Sequence, residues 1–158
     1  MSSGYPNKTR ASGVELILGD SLPYELNMLE QMFIRLHVHQ PDQWVANALI
    51  ESFCIHARTL CLFFANKDHV KAKQFTGGSY GAQYPISKLL VDKLHDQIAH
   101  LSANRTDVEE DKIGPQERAT LVTRLILEAR NFASKLSPSD RALMSEKYSS
   151  MLLIAPID

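Results

Sequence analysis

Apolar residues recur every three to four positions over most of the chain, and this spacing predicts helices rather than strands. The first such segment begins at Ser21, a good N-cap that is followed by Pro23 in the first turn. It should end near His39, because Pro41 disfavours helical geometry at the residue before it. The pattern therefore predicts a first helix over about 21–39.

The second predicted helix covers about 41–66 and is apolar on all sides, a property typical of a buried helix. Between Gln43 and Asn66, its only side chains with a full charge at neutral pH are Glu51 and Arg58. We therefore expect this helix to lie at the centre of the fold and to carry one polar stripe.

The rest of the chain continues the helical pattern with connectors between the segments. A glycine-rich stretch near residue 78 and a charged stretch over 107–114 separate the later helices. These helices are predicted over 86–105, 115–136 and 138–151. The fold class is then all-α, an antiparallel bundle of four to five helices. We assign residues 1–20 to a flexible N-terminal arm and 21–158 to a single domain.

Composition places the chain among ordinary globular proteins, and its net charge of −1 argues mildly against non-specific binding to duplex nucleic acid. No apolar run approaches the roughly 20 residues needed to cross a bilayer, and no signal peptide is evident. We expect a cytoplasmic protein that is not bound to a membrane. Cys54 and Cys61 lie too far apart on one helix for a disulfide and are expected to be buried thiols.

The polar stripe of the second helix is the main candidate site. Asn47, Glu51 and Arg58 fall within about 40° of one another around the helix axis. Since a buried charge requires partners, the stripe should face polar groups on a neighbouring helix. The third predicted helix offers His100, with Asp96 one turn before it, and Arg105 further along.

Two interpretations of these residues remain open. In the first, they form a structural network in which Glu51 neutralises Arg58. In the second, Arg58 and Arg105 bind phosphate while His100 transfers protons. A metal site at His37 and His39 is the weakest option, because a helix directs these side chains to different faces, and we expect no cofactor.

Two motifs carry a family resemblance. The segment over 51–60 reads ESFCIHARTL, and the segment over 98–105 reads IAHLSANR. Together they resemble small bacterial proteins with the patterns ESF-x-x-H-x-R-x-L and IAHL-x-x-x-R. That group is similar to the HEPN superfamily of helical bundles, near its abortive-infection branch. The two motifs cover 18 of the 158 residues.

The resemblance implies a four- or five-helix bundle, a homodimer, and a metal-independent ribonuclease or a degenerate relative of one. The family motif is an arginine followed four to six residues later by histidine, whereas here His100 precedes Arg105. Arg58, His100 and Glu51 match the pattern as catalytic candidates. Arg105, Asn47 and Asp96 are the candidates for binding RNA or a nucleotide phosphate. The competing hypothesis is a non-catalytic helical module for interaction or dimerisation.

Overall fold

The computed structural model describes residues 13–38, 42–97 and 112–152. Within these ranges the regular secondary structure is entirely helical, as the apolar spacing predicted. The α-helices are α1 (Gly13–Leu16), α2 (Leu22–Val38), α3 (Gln43–Phe64), α4 (Lys88–Gln97), α5 (Pro115–Lys135) and α6 (Pro138–Lys147). A short 3-10 helix, Ala72–Phe75, interrupts the connection between α3 and α4.

The chain is already helical before the first predicted helix. α1 continues through one turn of π-helix, Ile17–Ser21, into α2, and Leu18 in that turn is completely buried. Assigning residues 13–20 to a flexible arm was therefore wrong, because burial of an apolar side chain fixes this turn against the bundle. Residues 1–12 lie outside the described part of the chain.

The starts of α3, α5 and α6 agree with the prediction, whereas Ser21, the predicted N-cap of the first helix, lies inside a continuous helical stretch. Asp42 precedes α3, and its side chain accepts hydrogen bonds from the amides of Trp44 and Val45, each at 3.0 Å. Pro115 opens α5, and Ser137 caps α6 by accepting from the amide of Asp140. The predicted extension of the third helix over 98–105 lies outside the described residues.

α3 packs against α2, α4 and α5, while α2 also contacts α5 and α6. A cluster of aromatic rings fills the space where α3 and α5 meet. Phe132 of α5 is at its centre, and its ring centroid lies 5.5–6.5 Å from four other rings. These rings belong to Phe63, Phe64, Phe75 and Tyr80. The described elements thus form an all-α bundle around one core.

The prediction that α3 is buried on all sides was wrong. Phe53, Ala57 and their neighbours on one face lie in the core, but the opposite face is open along the first half of the helix. Trp44 is 85% exposed and Ile55 is 46% exposed. No element among the described residues covers the apolar residues on this second face. α3 therefore has apolar residues on every side but is buried on one side only.

By length and composition, α3 would be able to cross a membrane, which corrects the expectation that no such segment exists. One helix of this kind is weak evidence, since core helices of soluble proteins have the same length and composition. One face of α3 is engaged by the other helices of the bundle, so its apolar character has a structural explanation within the chain.

Candidate functional site

A cleft of about 480 Å³ lies between the second half of α3, the segment over 82–86, α4 and α5. Its walls are mainly apolar, with a few polar side chains directed into the space. The apolar part of the lining includes Leu62, Phe64, Ala65, Pro85, Ile86, Val91 and Leu125. A volume of this size and a lining of this kind are typical of sites that hold a small molecule.

Arg58 and His95 form a hydrogen-bonded pair at the wall of the cleft. Arg58 Nε donates to His95 Nδ1 at 2.9 Å, and His95 lines the cavity. Because a guanidinium has no acceptor, Nδ1 of His95 must be the acceptor, and the neutral ring then carries its proton at Nε2. The pair therefore combines the unused donors of a guanidinium with an imidazole of defined tautomer.

Further charged side chains lie around the same cavity. Lys67, Lys88 and Asp92 line it, and Lys88 Nζ lies 2.6 Å from Asp92 Oδ2 within α4. The Lys88–Asp92 pair is largely exposed to solvent, so it contributes little to stability. Its lysine remains a flexible positive group at the edge of the cleft.

The wall of the cleft over 82–86 is held by Glu128 of α5. This carboxylate is 3% exposed and accepts hydrogen bonds from four uncharged donors. The amides of Gln83 and Tyr84 donate to Oε2 at 2.9 and 2.7 Å, while the Tyr80 hydroxyl and the Asn131 amide donate to Oε1, each at 2.7 Å. With two donors on each oxygen, Glu128 serves to position the segment.

Two other contacts fix the same segment. Asn131 Nδ2 donates to the carbonyl of Gly81 at 3.0 Å, and Arg124 donates to the carbonyl of Pro85 at 2.9 Å. Burial, reinforced by the hydrogen bond to Glu128, raises the pKa of the Tyr80 hydroxyl well above its ordinary value. Tyr80 therefore stays protonated and keeps donating throughout the neutral range.

α4, which carries His95, is tied to the start of α5 by a partly buried ion pair. Lys93 Nζ lies 2.7 Å from Glu117 Oε1, and the Gly114 amide donates to Glu117 Oε2. Burial acts to raise the pKa of Glu117, but these two hydrogen bonds outweigh it and hold the pKa below its usual value. The pair fixes one side of the cleft relative to α5.

The residues predicted for the site separate into three groups. Arg58 is hydrogen-bonded to His95, which lines the cleft, while Glu51, Asn47 and Asp96 are exposed. Asn47 accepts a hydrogen bond from Gln43 within the first turns of α3. The expectation that Glu51 sits inside the core was wrong, because its face of α3 is the open one. His100 and Arg105 lie outside the described residues, so their roles stay predictions.

His95 is the partner of Arg58 that the sequence analysis missed. The third predicted helix offered two histidines five residues apart, which a helix directs to different faces. Choosing between them required the register of α4 against α3, and no residue spacing within one helix contains that information. The apolar stripe on α4 did not decide which of the two histidines contacts Arg58.

Other candidate residues have structural partners. His56 is buried and its Nδ1 lies 2.7 Å from Glu25 Oε2. His37 donates to the carbonyl of Phe33. Burial raises the pKa of Cys54 and Cys61 to about 12, so both thiols are protonated and unreactive near neutral pH. Across the described ranges, no three potential ligands are grouped to hold a metal.

Comparison with known proteins does not assign this bundle to a family, since no family model, curated protein or solved structure matches the chain. What the fold and the cleft define is a class: an all-α bundle with a small-molecule-sized cavity beside an arginine–histidine pair. The similarity to the HEPN superfamily rests on the two sequence motifs alone and stays a prediction.

Proposed function

We propose that the cleft binds a ligand that joins an apolar or aromatic body to a phosphate group, with a nucleotide or one nucleotide unit of RNA as the model. The observation that carries this proposal is the Arg58–His95 pair at the wall of a cavity of about 480 Å³. The proposal keeps the predicted role of Arg58 as the phosphate-binding residue and assigns the neighbouring histidine role to His95.

The chemistry of the pair supports an anionic group at this end of the cleft. Arginine presents a planar array of donors that matches phosphate oxygens, and its bond to His95 uses only the Nε position. The imidazole adds a donor at Nε2 in its neutral form. Lys67 and Lys88 supply further positive charge around the cavity.

The apolar walls support the other half of the ligand. A flat heterocycle would be covered by side chains such as Leu62 and Phe64 on one side and Ile86 on the other. Small-molecule sites commonly combine a mostly apolar lining with a few polar groups that fix orientation. Glu128 contributes by fixing the wall, since its oxygens are already engaged by protein donors.

Titration with adenosine monophosphate, adenosine and inorganic phosphate, followed by calorimetry and amide chemical shifts, tests the proposal. We expect the nucleotide to bind at least tenfold more tightly than either fragment, because it uses both parts of the cleft. Arg58→Gln should remove most of this advantage, while Arg35→Gln, on an exposed arginine of α2, should leave it unchanged. No binding at millimolar nucleotide, or equal binding by Arg58→Gln and Arg35→Gln, would contradict the proposal.

Cleavage of RNA is the predicted activity that extends this binding function. If His95 transfers the proton, a short single-stranded RNA should be cut in the presence of a chelator, and His95→Gln should stop the cutting while preserving the thermal unfolding transition. If His95→Gln retained activity while Arg58→Gln lost it, His95 would be excluded as the acid or base. The proposal that Arg58 binds phosphate would still stand.

A further inference from the structure

The hydrogen bond between Arg58 and His95 competes with protonation of the imidazole. Arg58 Nε donates to His95 Nδ1 at 2.9 Å, so Nδ1 presents its lone pair to the guanidinium. An imidazolium carries a proton on both ring nitrogens, and its Nδ1 has no lone pair left to offer. His95 can therefore hold this bond to Arg58 or a second proton, but not both.

The same bond occupies part of the surface with which Arg58 would hold an anion. A guanidinium binds phosphate or sulfate best through two parallel N–H groups, and one such pair of donors is formed by Nε and a neighbouring Nη. His95 Nδ1, at 2.9 Å from Nε, lies where an oxygen of the anion would bind this pair. While the bond is intact, Arg58 has only its Nη1 and Nη2 donors for a ligand.

Protonation changes His95 from a competitor of the anion into a second donor to it. The imidazolium carries a positive charge next to the guanidinium, and the contact between the two side chains is partly buried. Two like charges at this distance repel each other, and water screens them less than it would at the surface. A dianion that accepts hydrogen bonds from both side chains removes the repulsion. Proton uptake and anion binding therefore strengthen each other.

The other ionisable groups around the cleft are of types that do not ordinarily change charge near neutral pH. The connection after α3 contributes Lys67, α4 contributes Lys88 and Asp92, and α5 contributes Glu128. Cys61 of α3 also lines the cleft, but burial raises the pKa of its thiol to about 12, so the thiol stays neutral. Among the described residues that line the cleft, His95 is the one histidine, the residue type that ordinarily titrates between pH 5 and 8.

We propose that the cleft binds a dianionic group, such as a terminal phosphate, together with one proton that His95 takes up from the solvent. At high pH, neutral His95 accepts from Arg58, and the anion is held by the Nη1 and Nη2 donors alone. At low pH, the imidazolium releases Arg58 Nε, and both side chains donate to the anion. The identity of the anion rests on the proposed function. The competition between Arg58 and a proton for His95 Nδ1 does not, and it is measured without a ligand.

Sulfate tests the coupling, because it stays dianionic from about pH 5.5 to pH 8 and leaves the protein as the source of any pH dependence. We expect its dissociation constant, followed by amide chemical shifts at constant ionic strength, to fall at least tenfold from pH 8 to pH 5.5. His95→Asn supplies an amide oxygen that accepts from Arg58 but does not titrate, so its affinity should stay at the high-pH value. His37→Asn, at an exposed histidine of α2, should keep the full pH dependence.

The sulfate experiment separates failure of the coupling from failure of the proposed function. Equal affinity of the wild type at both pH values, or a pH dependence that His95→Asn retains, would overturn the coupling while the anion site still stands. If neither sulfate nor adenosine monophosphate bound at either pH, both proposals would be wrong.

Calorimetry in two buffers with different ionisation enthalpies counts the proton directly. Where the affinity for sulfate changes most steeply with pH, binding to the wild type and to His37→Asn should take up a large fraction of one proton. Binding to His95→Asn should take up none. Binding to the wild type without proton uptake would contradict the proposal.

Nitrogen NMR of the chain labelled at histidine and arginine tests the competition without a ligand. Near pH 8, the His95 Nδ1 resonance should have the chemical shift of an unprotonated ring nitrogen, because this atom accepts from Arg58. As His95 becomes protonated, the Arg58 Nε–H resonance should shift and its exchange with solvent should speed up, since the bond is lost. A proton on Nδ1 near pH 8, or an Arg58 Nε–H that does not respond when His95 titrates, would overturn the proposal.

Discussion

Two glutamates, Glu30 and Glu128, are buried and accept hydrogen bonds from uncharged groups of the chain. Glu30 is completely buried and accepts from the Tyr148 hydroxyl, the Ser150 hydroxyl and the Met151 amide at 2.6–2.7 Å. Such short bonds to a carboxylate offset much of the cost of removing it from water. Each glutamate thereby fixes a segment that has no regular secondary structure.

Alkaline pH should destabilise this protein through its buried acids. Burial raises the pKa of Cys54 and Cys61 from 9.0 to about 12, so between these values the unfolded chain releases protons that the folded chain retains. Stability is fully present below pH 9 and falls above it by roughly 1.4 kcal/mol per pH unit for each thiol. Urea unfolding measured from pH 7 to pH 10.5 should show this loss.

A variant that lacks both thiols provides the control for the alkaline experiment. Cys54→Ala combined with Cys61→Ala should be less stable at pH 7, because it leaves small cavities in the core. Its stability should then fall less steeply above pH 9 than that of the wild type. Part of the slope should persist, since burial also raises the pKa of Tyr80 and Tyr148. An identical slope in both proteins would contradict the assignment to the thiols.

The roles of single residues were only partly accessible from the sequence. Arg58 was found because it is one of two charges in an apolar helix, and the structure bonds it to His95, a residue that lines the cleft. Glu30 and Glu128 were not found, because each follows an apolar residue on a helix with several other charges. Most of their donors lie more than forty residues away along the chain, and no local pattern contains that information.

At the scale of elements, the position of the connection between the 3-10 helix and α4 depends on the side chain of Glu128. Glu128→Gln should loosen the segment over 80–86, because the NH₂ of the new side chain must oppose one pair of donors, either the amides of Gln83 and Tyr84 or the Tyr80 hydroxyl and the Asn131 amide. Leaving a buried donor unsatisfied costs about 1–3 kcal/mol. Hydrogen exchange should therefore speed up at Gln83 and Tyr84 while the exchange of α5 changes less.

Glu146→Gln is the matched control for this substitution. Glu146 is exposed on α6, so the same chemical change there should alter neither stability nor exchange over 80–86. If Glu128→Gln exchanged like the control, the carboxylate would not be what positions the wall of the cleft.

Element boundaries were predictable where a capping residue marks them. The starts predicted near residues 41, 115 and 138 are confirmed, and in the structure Asp42, Pro115 and Ser137 mark them. The helical turn before Ser21 was missed, because Gly19 and Asp20 are typical of a turn. There the stabilisation from burying Leu18 outweighs the preference of Gly19 and Asp20 for a turn. That stabilisation comes from the surrounding bundle and not from the local sequence.

At the scale of the whole molecule, the aromatic cluster around Phe132 joins α3, α5 and the connection that precedes α4. Phe132→Ala should lower the free energy of unfolding by about 3–5 kcal/mol, because it removes a large fully buried ring. Urea denaturation measures this directly. Tyr24→Ala, at a ring that is 54% exposed, should cost much less, and comparable losses would contradict a core centred on Phe132.

The fold class followed from periodicity, but the arrangement of the helices did not. Apolar spacing is a property of one helix, and it predicted the all-α bundle, although not the helical segment before Ser21. The burial of a helix depends on how many other helices pack against it. For α3, the apolar composition predicted packing on all sides, and the structure has it on one face. The same limitation applies to the candidate site, whose histidine was set by the register between α3 and α4.

The interaction of Glu30 with the end of the described chain has a consequence for how this protein can change over evolutionary time. Loss of residues 148–151 alone would leave a carboxylate in the interior without those donors, and Glu30→Leu alone would leave the donors without their acceptor. Either change is harmful by itself, while the two together are far less so. Lineages descended from this sequence should therefore retain both features or lose both.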